Sequence, residues 1–390
     1  MKPLLLAVVV SSKLVFSSLS VAAQVSNQST GLPVDKFVTV AGQKMHYQIA
    51  GAGKATVVFE CGHGADLSSW NPIFPEVAKF AKAVSYDRAG YGSSETNTQL
   101  KSFKEIATRL HELLEKANIK PPYILVGHSL GGALIRAYAY LYPAETAGLV
   151  FVDPLTEYIA DGFSKEQKLQ ITQSMDSTMT NAPATYVAEW EIIKNDFLNG
   201  FPEIHSFGAC PDVPLVMLVA GKNRTPTWEN SVRNLYENKM KALSETRIIE
   251  IGQSPHHIQR YEPSLVIENI RRVVFPDAEN VLRKTLKAKG IDSCIAEYKK
   301  IKMSYPKEYM LERFLNTLGY EELKRGQIPA AIKLFALNVE AYPKSSNVYD
   351  SLGEAYMVAG NKKEATKNYE KSLALNPDNR NATKMLEKLR

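Results

Sequence analysis

The run Gly127-His128-Ser129-Leu130-Gly131-Gly132 follows the apolar stretch Tyr123-Ile124-Leu125-Val126 and precedes a helical pattern from Ala133 to Tyr142. A serine in G-x-S-x-G between a strand and a helix is a nucleophile elbow. The turn pushes the hydroxyl forward, and flanking side chains would collide with the neighbouring strand and helix, hence the glycines. Acyl transfer needs three more parts: a base for the serine proton, an acid to orient that base, and two N–H donors aimed at the developing oxyanion. Leu130, following the nucleophile at a helix N-terminus, supplies one donor from its backbone. Seven histidines compete for the base. His256 and His257 follow the apolar run Ile248 to Ile251 and precede a helix over Pro263 to Val274. His46, His111 and His205 read as surface or packing residues, and His63 and His128 as parts of their turns.

Other signals carry no chemistry. Gly51-Ala52-Gly53-Lys54 lacks the spacing and the Ser or Thr of a phosphate loop and reads as a turn between strands. With no histidine pair at ligand spacing on a helix and no Cys-x-x-Cys, no metal is implied. Cys61 reads as a small buried hydrophobe.

The elements that must hold the elbow follow from apolar periodicity. Short runs at Val57 to Phe59, Ala83 to Tyr86, Tyr123 to Val126, Leu149 to Val152, Leu215 to Val219 and Ile248 to Ile251 are apolar without alternation, as strands buried on both faces of a parallel sheet require. Between them lie helical patterns, the clearest being Phe103, Ile106, Ala107, Leu110, Leu113 and Leu114. Strand and helix in alternation predict an α/β sheet. Phe37 to Val40 and Met45 to Ile49, joined through Ala41-Gly42-Gln43, predict an antiparallel hairpin ahead of it. The segment 154–212 is about twice an ordinary crossover and is expected to form a helical cap over one sheet edge. Met175, Met179, Trp190 and Phe197 there are candidates for an acyl pocket or for helix packing.

From the elbow and its setting, residues 34–277 resemble the α/β-hydrolase fold family of serine hydrolases. His63-Gly64, after the strand ending at Glu60, is similar to the family's oxyanion-loop motif, and Asp87-Arg88-Ala89-Gly90-Tyr91-Gly92-Ser93-Ser94 to its turn after the next strand. The resemblance implies the second oxyanion donor at Ala65, with Gly64 as the alternative. It also implies the order Ser, acid, His, which aligns His256 with the base, although Pro255 stands where the family usually has Gly. Many relatives carry the acid after the strand equivalent to Leu215 to Val219, but Gly221-Lys222-Asn223-Arg224 offers no carboxylate. The family's other position, one strand earlier, holds Asp153, with Glu157 and Glu229 as alternatives. The expected activity is hydrolysis of an ester or related small-molecule acyl substrate through an acyl-enzyme on Ser129, without a cofactor. A peptidase or amidase of the same fold, and an inactive partner-binding protein, are the competing readings.

The last third is repetitive. Leu318-Gly319, Ala331, Phe335 and Pro343 recur 34 residues later as Leu352-Gly353, Ala365, Tyr369 and Pro377. This resembles the tetratricopeptide repeat, in which small residues let paired helices approach and an aromatic fills the space between them. Clear repeats are expected at 312–345 and 346–379, with a degenerate one at approximately 275–308 around Cys294, Tyr298 and Pro306 and a polar capping helix from Ala382 to Leu389. The region 278–390 is thus an all-α module suited to a protein or peptide partner.

Composition agrees with two folded modules: 390 residues, 45% hydrophobic and 23% charged, exclude collagen-like and disordered classes. The net charge of +6 comes from the last third, where residues 281–390 hold 21 basic and 13 acidic residues interspersed at helical spacings. That is a solvated helix surface without nucleic-acid recognition motifs. Three cysteines, Cys61, Cys210 and Cys294, imply no disulfide framework. Residues 1–23, with Lys2, an apolar run from Leu4 to Val10 and Val21-Ala22-Ala23, have the layout of a cleaved secretory signal peptide, so the mature chain is expected to be periplasmic or secreted, without a transmembrane segment.

Overall fold

A computed structural model describes residues 33–96, 101–161, 163–221, 247–252, 254–305 and 312–389. The expected signal peptide at 1–23, Glu229 and Pro306 lie outside the described residues. The chain divides into two compact units, the first ending at Val274 and the second beginning at Phe275.

Among the described residues the first unit holds eight strands: β1 (Val34–Val40), β2 (Gln43–Ala50), β3 (Thr56–Glu60), β4 (Lys82–Tyr86), β5 (Tyr123–His128), β6 (Thr146–Val152), β7 (Leu215–Ala220) and β8 (Arg247–Gly252). They lie in the order β1-β2-β4-β3-β5-β6-β7-β8. The first two form the expected hairpin, β2 also pairs antiparallel with β4, and every other pairing is parallel. β3 has β4 on one side and β5 on the other, so the strand order reverses there and the carboxyl ends of β3 and β5 flank the crevice in which such sheets place ligands. All residues of β3 and β5 are buried, which explains why these strands read as continuous apolar runs.

The helices cover the sheet. They are α1 (Phe74–Ala78), α2 (Phe103–Lys116) and α3 (Leu130–Leu141). Ser102 caps α2 by accepting from the Glu105 N–H at 3.1 Å, and the stripe Phe103, Ile106, Ala107, Leu110, Leu113 and Leu114 is buried. The cap consists of α4 (Tyr158–Asp161), α5 (Lys165–Met179), α6 (Ala184–Leu198) and α7 (Pro202–Ser206). Trp190 and Phe197 of α6 are buried in the main core, where Met175 and Met179 pack against it, so these four belong to helix packing. Two helices, α8 (Ile258–Tyr261) and α9 (Pro263–Val274), close the unit.

The second unit is all-α: α10 (Ala278–Ser304), α11 (Glu312–Lys324), α12 (Ile328–Ala341), α13 (Ser346–Val358), α14 (Lys362–Leu375) and α15 (Arg380–Leu389). The 34-residue repeat has a packing cause. A Cβ on Gly319 would lie 2.6 Å from the Phe335 ring, and one on Gly353 would lie 3.0 Å from the Tyr369 ring. In the degenerate repeat α10 runs through both helical positions but breaks at Gly290 (φ 80°, ψ 179°), matching the positive-φ turns at Gly326 and Gly360 in the next two repeats. Cys294 and Tyr298 are buried there. No helix among the described residues is long and apolar enough to cross a membrane.

Candidate active site

Ser129 stands between β5 and α3 with φ 54° and ψ −119°, a conformation that costs about 1–3 kcal/mol for a non-glycine residue and persists only where the surroundings enforce it. They do so here. Its N–H donates to Val152 O at 3.1 Å, and its carbonyl accepts from Gly132 N at 2.9 Å and Leu155 N at 2.7 Å. The glycines are demanded by backbone proximity: a Cβ at Gly127 would lie 2.3 Å from Gly131 O, and one at Gly131 would lie 2.3 Å from Glu60 O. Gly132 meets the Pro154 Cβ at the same separation. The elbow is therefore locked between the ends of β3 and β6.

Asp153 follows β6 and is also held at positive φ, 43°. Its N–H donates to Leu218 O at 2.7 Å, and its Oδ1 accepts from Ala220 N at 3.0 Å, so the residue is clamped to the end of β7. Its Oδ2 lies 2.6 Å from His256 Nδ1. An ionised carboxylate only accepts, so this contact puts the imidazole proton on Nδ1 and leaves the lone pair on Nε2. His256 Nε2 has no hydrogen-bond partner, and no hydrogen bond joins it to Ser129 among the described residues. Glu157 is committed elsewhere, since its carboxylate pairs with Arg136 in a buried salt bridge.

Two further histidines frame His256. The buried ring of His128 lies 4.6 Å from that of His256 and 5.0 Å from that of His257, and His128 Nε2 donates to His256 O at 3.0 Å. Burial, reinforced by His256 and His257, holds His128 well below the usual imidazole range. Burial, with His256 and Arg260, pushes His257 down to about 4, against the opposing pull of Asp153. Both neighbours are thus neutral at pH 7 and set no positive charge against an imidazolium on His256. Among the described residues, no group of three His, Cys, Asp or Glu side chains is arranged to hold a metal ion.

The loop after β3 faces the elbow. A Cβ on Gly62 would lie 3.2 Å from Ser129 Cβ. Leu130 opens α3, so its N–H has no acceptor within the helix. Ala65 N donates only a long bond, 3.3 Å, to Gly62 O, while Gly64 N–H has no acceptor among the described residues. Cys61 is inert here. Its thiol contacts Asp66 O at 3.1 Å, and burial pushes its pKa up to about 12.

Beneath this loop lies a buried polar cluster that sequence reading did not find. All five N–H donors of Arg88 are used: Nε and Nη2 reach Glu189 at 2.8 and 3.0 Å, Nη1 reaches Glu60 Oε1 and Cys61 O, both at 2.7 Å, and Nη2 also reaches Gly62 O at 2.7 Å. Tyr86 donates to Glu60, and Tyr91 donates to Glu189 at 2.9 Å. Burial pushes the Glu60 carboxyl up, opposed by Arg88. Glu189 is buried on α6, and its partner Arg88 lies 101 residues away, so nothing local in the sequence joins the two.

A family model described as alpha/beta hydrolase fold matches residues 55–199, and a tetratricopeptide repeat model matches 346–379. The uncharacterized protein YqjL of Bacillus subtilis is 25% identical over 236 residues, covering 60% of this chain and 89% of YqjL. The uncharacterized protein YbdG of the same organism is 34% identical over 118 residues, 30% of this chain and only 36% of YbdG. Among solved structures, the epoxide hydrolase CorEH superposes with a TM-score of 0.48 at 15% identity, over 63% of this chain and 99% of that one. The architecture is an α/β-hydrolase fold followed by tetratricopeptide-type helices, and that fold supports hydrolase activity.

Proposed function

We propose that this chain of α/β-hydrolase fold with tetratricopeptide repeats is a serine hydrolase that cleaves an ester or related acyl bond through an acyl-enzyme. Ser129 Oγ attacks the carbonyl carbon while His256 Nε2 takes its proton, and Asp153 stabilises the imidazolium through Nδ1–H. The negative oxygen is received by the N–H of Leu130 and by that of Ala65, with Gly64 the alternative. Collapse expels the alcohol, protonated by Nε2–H. Water then gives its proton to Nε2 as it attacks the acyl-enzyme, and Ser129 recovers its proton as the acid leaves.

The observation carrying this reading is the 2.6 Å contact between Asp153 Oδ2 and His256 Nδ1, which leaves Nε2 without a hydrogen-bond partner and able to accept a proton, while Ser129 is held in a strained elbow. Apo sites commonly show catalytic hydrogen bonds that close only with substrate bound, so an unpaired Nε2 is compatible with the role. Labelling by a fluorophosphonate tests it. The probe should attach to Ser129, located by peptide mass mapping, and Ser129→Ala should abolish both labelling and esterase turnover while leaving the fold unchanged. Labelling at another residue, or turnover kept in the variant, would sink the mechanism. As further parts of the proposal, the chain is exported through residues 1–23, and the repeats recruit a protein or peptide partner.

A further inference from the structure

Three carbonyls of the loop after β3 are held by side chains from outside it, and each hold leads to one cap helix. Tyr186 Oη donates to Gly64 O, and the Tyr186 carbonyl lies 3.0 Å from His63 Nε2. Glu189 grips Arg88 through both carboxylate oxygens, and Arg88 binds Cys61 O and Gly62 O at 2.7 Å each. Tyr186 and Glu189 are three residues apart on α6 and so share a face. The helix is seated tightly at this point. A Cβ on Gly64 would lie 2.4 Å from the Tyr186 ring, and one on Gly90 would lie 2.0 Å from the Thr185 methyl.

A peptide group is planar and trans, so fixing the direction of a carbonyl fixes the opposite direction of the next residue's N–H. The Gly64 carbonyl and the Ala65 N–H belong to one such plane. Tyr186 therefore sets where the Ala65 N–H points without touching it. Arg88 acts on the competitor. Gly62 O, the acceptor that Ala65 reaches at 3.3 Å, already receives a charged donor at 2.7 Å. The charge-assisted bond is the stronger, leaving the Ala65 N–H weakly held and ready for a better acceptor.

We propose that α6 is the positioning element of the oxyanion hole, with Tyr186 acting through the Gly64–Ala65 peptide and Glu189 acting through Arg88 on the carbonyls of Cys61 and Gly62. The inference rests on the serine-hydrolase reading and deepens it. Cap placement bears on the rate of the chemical step, because α6 bonds the Gly64 carbonyl directly and shares with Glu60 the anchoring of the guanidinium that holds the other two.

The experiment compares wild type, Tyr186→Phe and Glu189→Gln for hydrolysis of 4-nitrophenyl acetate, inhibition by phenylboronic acid and fluorophosphonate labelling. Phenylboronic acid forms a tetrahedral adduct on the serine, so its affinity reads the oxyanion hole. Loss of a whole oxyanion donor lowers kcat by about 100-fold or more, and a misdirected donor should cost less. Tyr186→Phe should lower kcat about 10-fold with KM nearly unchanged, and raise the boronate inhibition constant by a similar factor, as for an interaction made only in the transition state. Glu189→Gln keeps an acceptor for Arg88 and should show the same pattern at about threefold; it carries the test should Tyr186→Phe not fold. Unchanged kcat and boronate affinity, with Ser129 still labelled, would overturn the positioning role and leave the hydrolase reading intact. A rise in KM alone would overturn it in favour of direct substrate contact. A wild-type chain that is never labelled would remove the hydrolase reading and this inference with it.

Discussion

At Gly131 an added Cβ would meet the carbonyl oxygen of Glu60 at 2.3 Å, whereas at Gly353 it would meet the ring of Tyr369 at 3.0 Å. Both glycines lie in motifs, one in the α/β unit and one in the repeats, and both permit close approach. Their neighbours differ in what they can yield. Glu60 O belongs to the end of a strand buried throughout, and moving it would disturb both the sheet and the oxyanion loop. The Tyr369 ring sits between paired helices, which can shift by a few tenths of an ångström against each other. Gly131 is thus fixed by backbone against backbone, and Gly353 by the size of one side chain.

The largest effect should fall on the active-site geometry that the first unit supports. Asp153→Asn should lower kcat by about 1,000-fold or more, because an amide at this position favours the wrong tautomer of His256. His257→Ala, a ring neighbour without a bond to Asp153, should stay within about tenfold. Steady-state kinetics of both variants decides, and the reverse order would move the base to His257. Next comes the backbone contact. Gly131→Ala should destabilise the α/β unit by about 3 kcal/mol or prevent its folding, since overpacking against a main chain has no cheap relaxation. Trp70, Trp190 and Trp228 all precede Val274, so tryptophan fluorescence during urea unfolding follows that unit alone.

Acid should separate the units as well. The folded state keeps His257 near 4, while an unfolded histidine titrates near about 6.5, so the unfolded chain binds the proton that the folded chain refuses. Stability of the α/β unit should therefore fall as pH drops from about 6.5 toward about 4, and His257→Gln should flatten that decline. His128 adds to the slope in the same direction. All seven histidines precede Val274, leaving the repeats without this contribution. Fluorescence midpoints against pH, set beside the helical circular dichroism of the whole chain, test this; a helical signal lost entirely in step with the fluorescence would break the contrast. The smallest effect is expected at Gly353→Ala, where helix propensity returns about 1 kcal/mol against mild crowding, for a net change within about 1 kcal/mol. A loss as large as that at Gly131 would mean that the helix pairs are as unyielding as the sheet.

Most of the architecture was legible because it depends on local periodicity. Buried parallel strands must be apolar on both faces, and a 34-residue offset repeats because each Gly faces an aromatic one helix later. The arrangement around Ser129 was legible in part. Pro255 in place of Gly left His256 and His257 in competition, and only the contact with Asp153 distinguishes them in space. The family's position at the end of a strand favoured Asp153 over Glu157, four residues on, and Glu157 is in addition paired with Arg136. Asp153 reaches across from β6 and bonds the Ala220 N–H at the end of β7, the strand after which Gly221-Lys222-Asn223-Arg224 offers no carboxylate.

By itself, the sequence determined the strands, the elbow and the helical repeat, since each is written in residues close along the chain: unbroken apolar runs, a G-x-S-x-G turn, a helical period of 3.6 and a repeat of 34. Tertiary structure alone decided the Arg88 cluster and the hold of Tyr186 on the oxyanion loop. Those partners are 101 and 122 residues apart, and a buried guanidinium or carboxylate reveals its partner only when folding removes water from both.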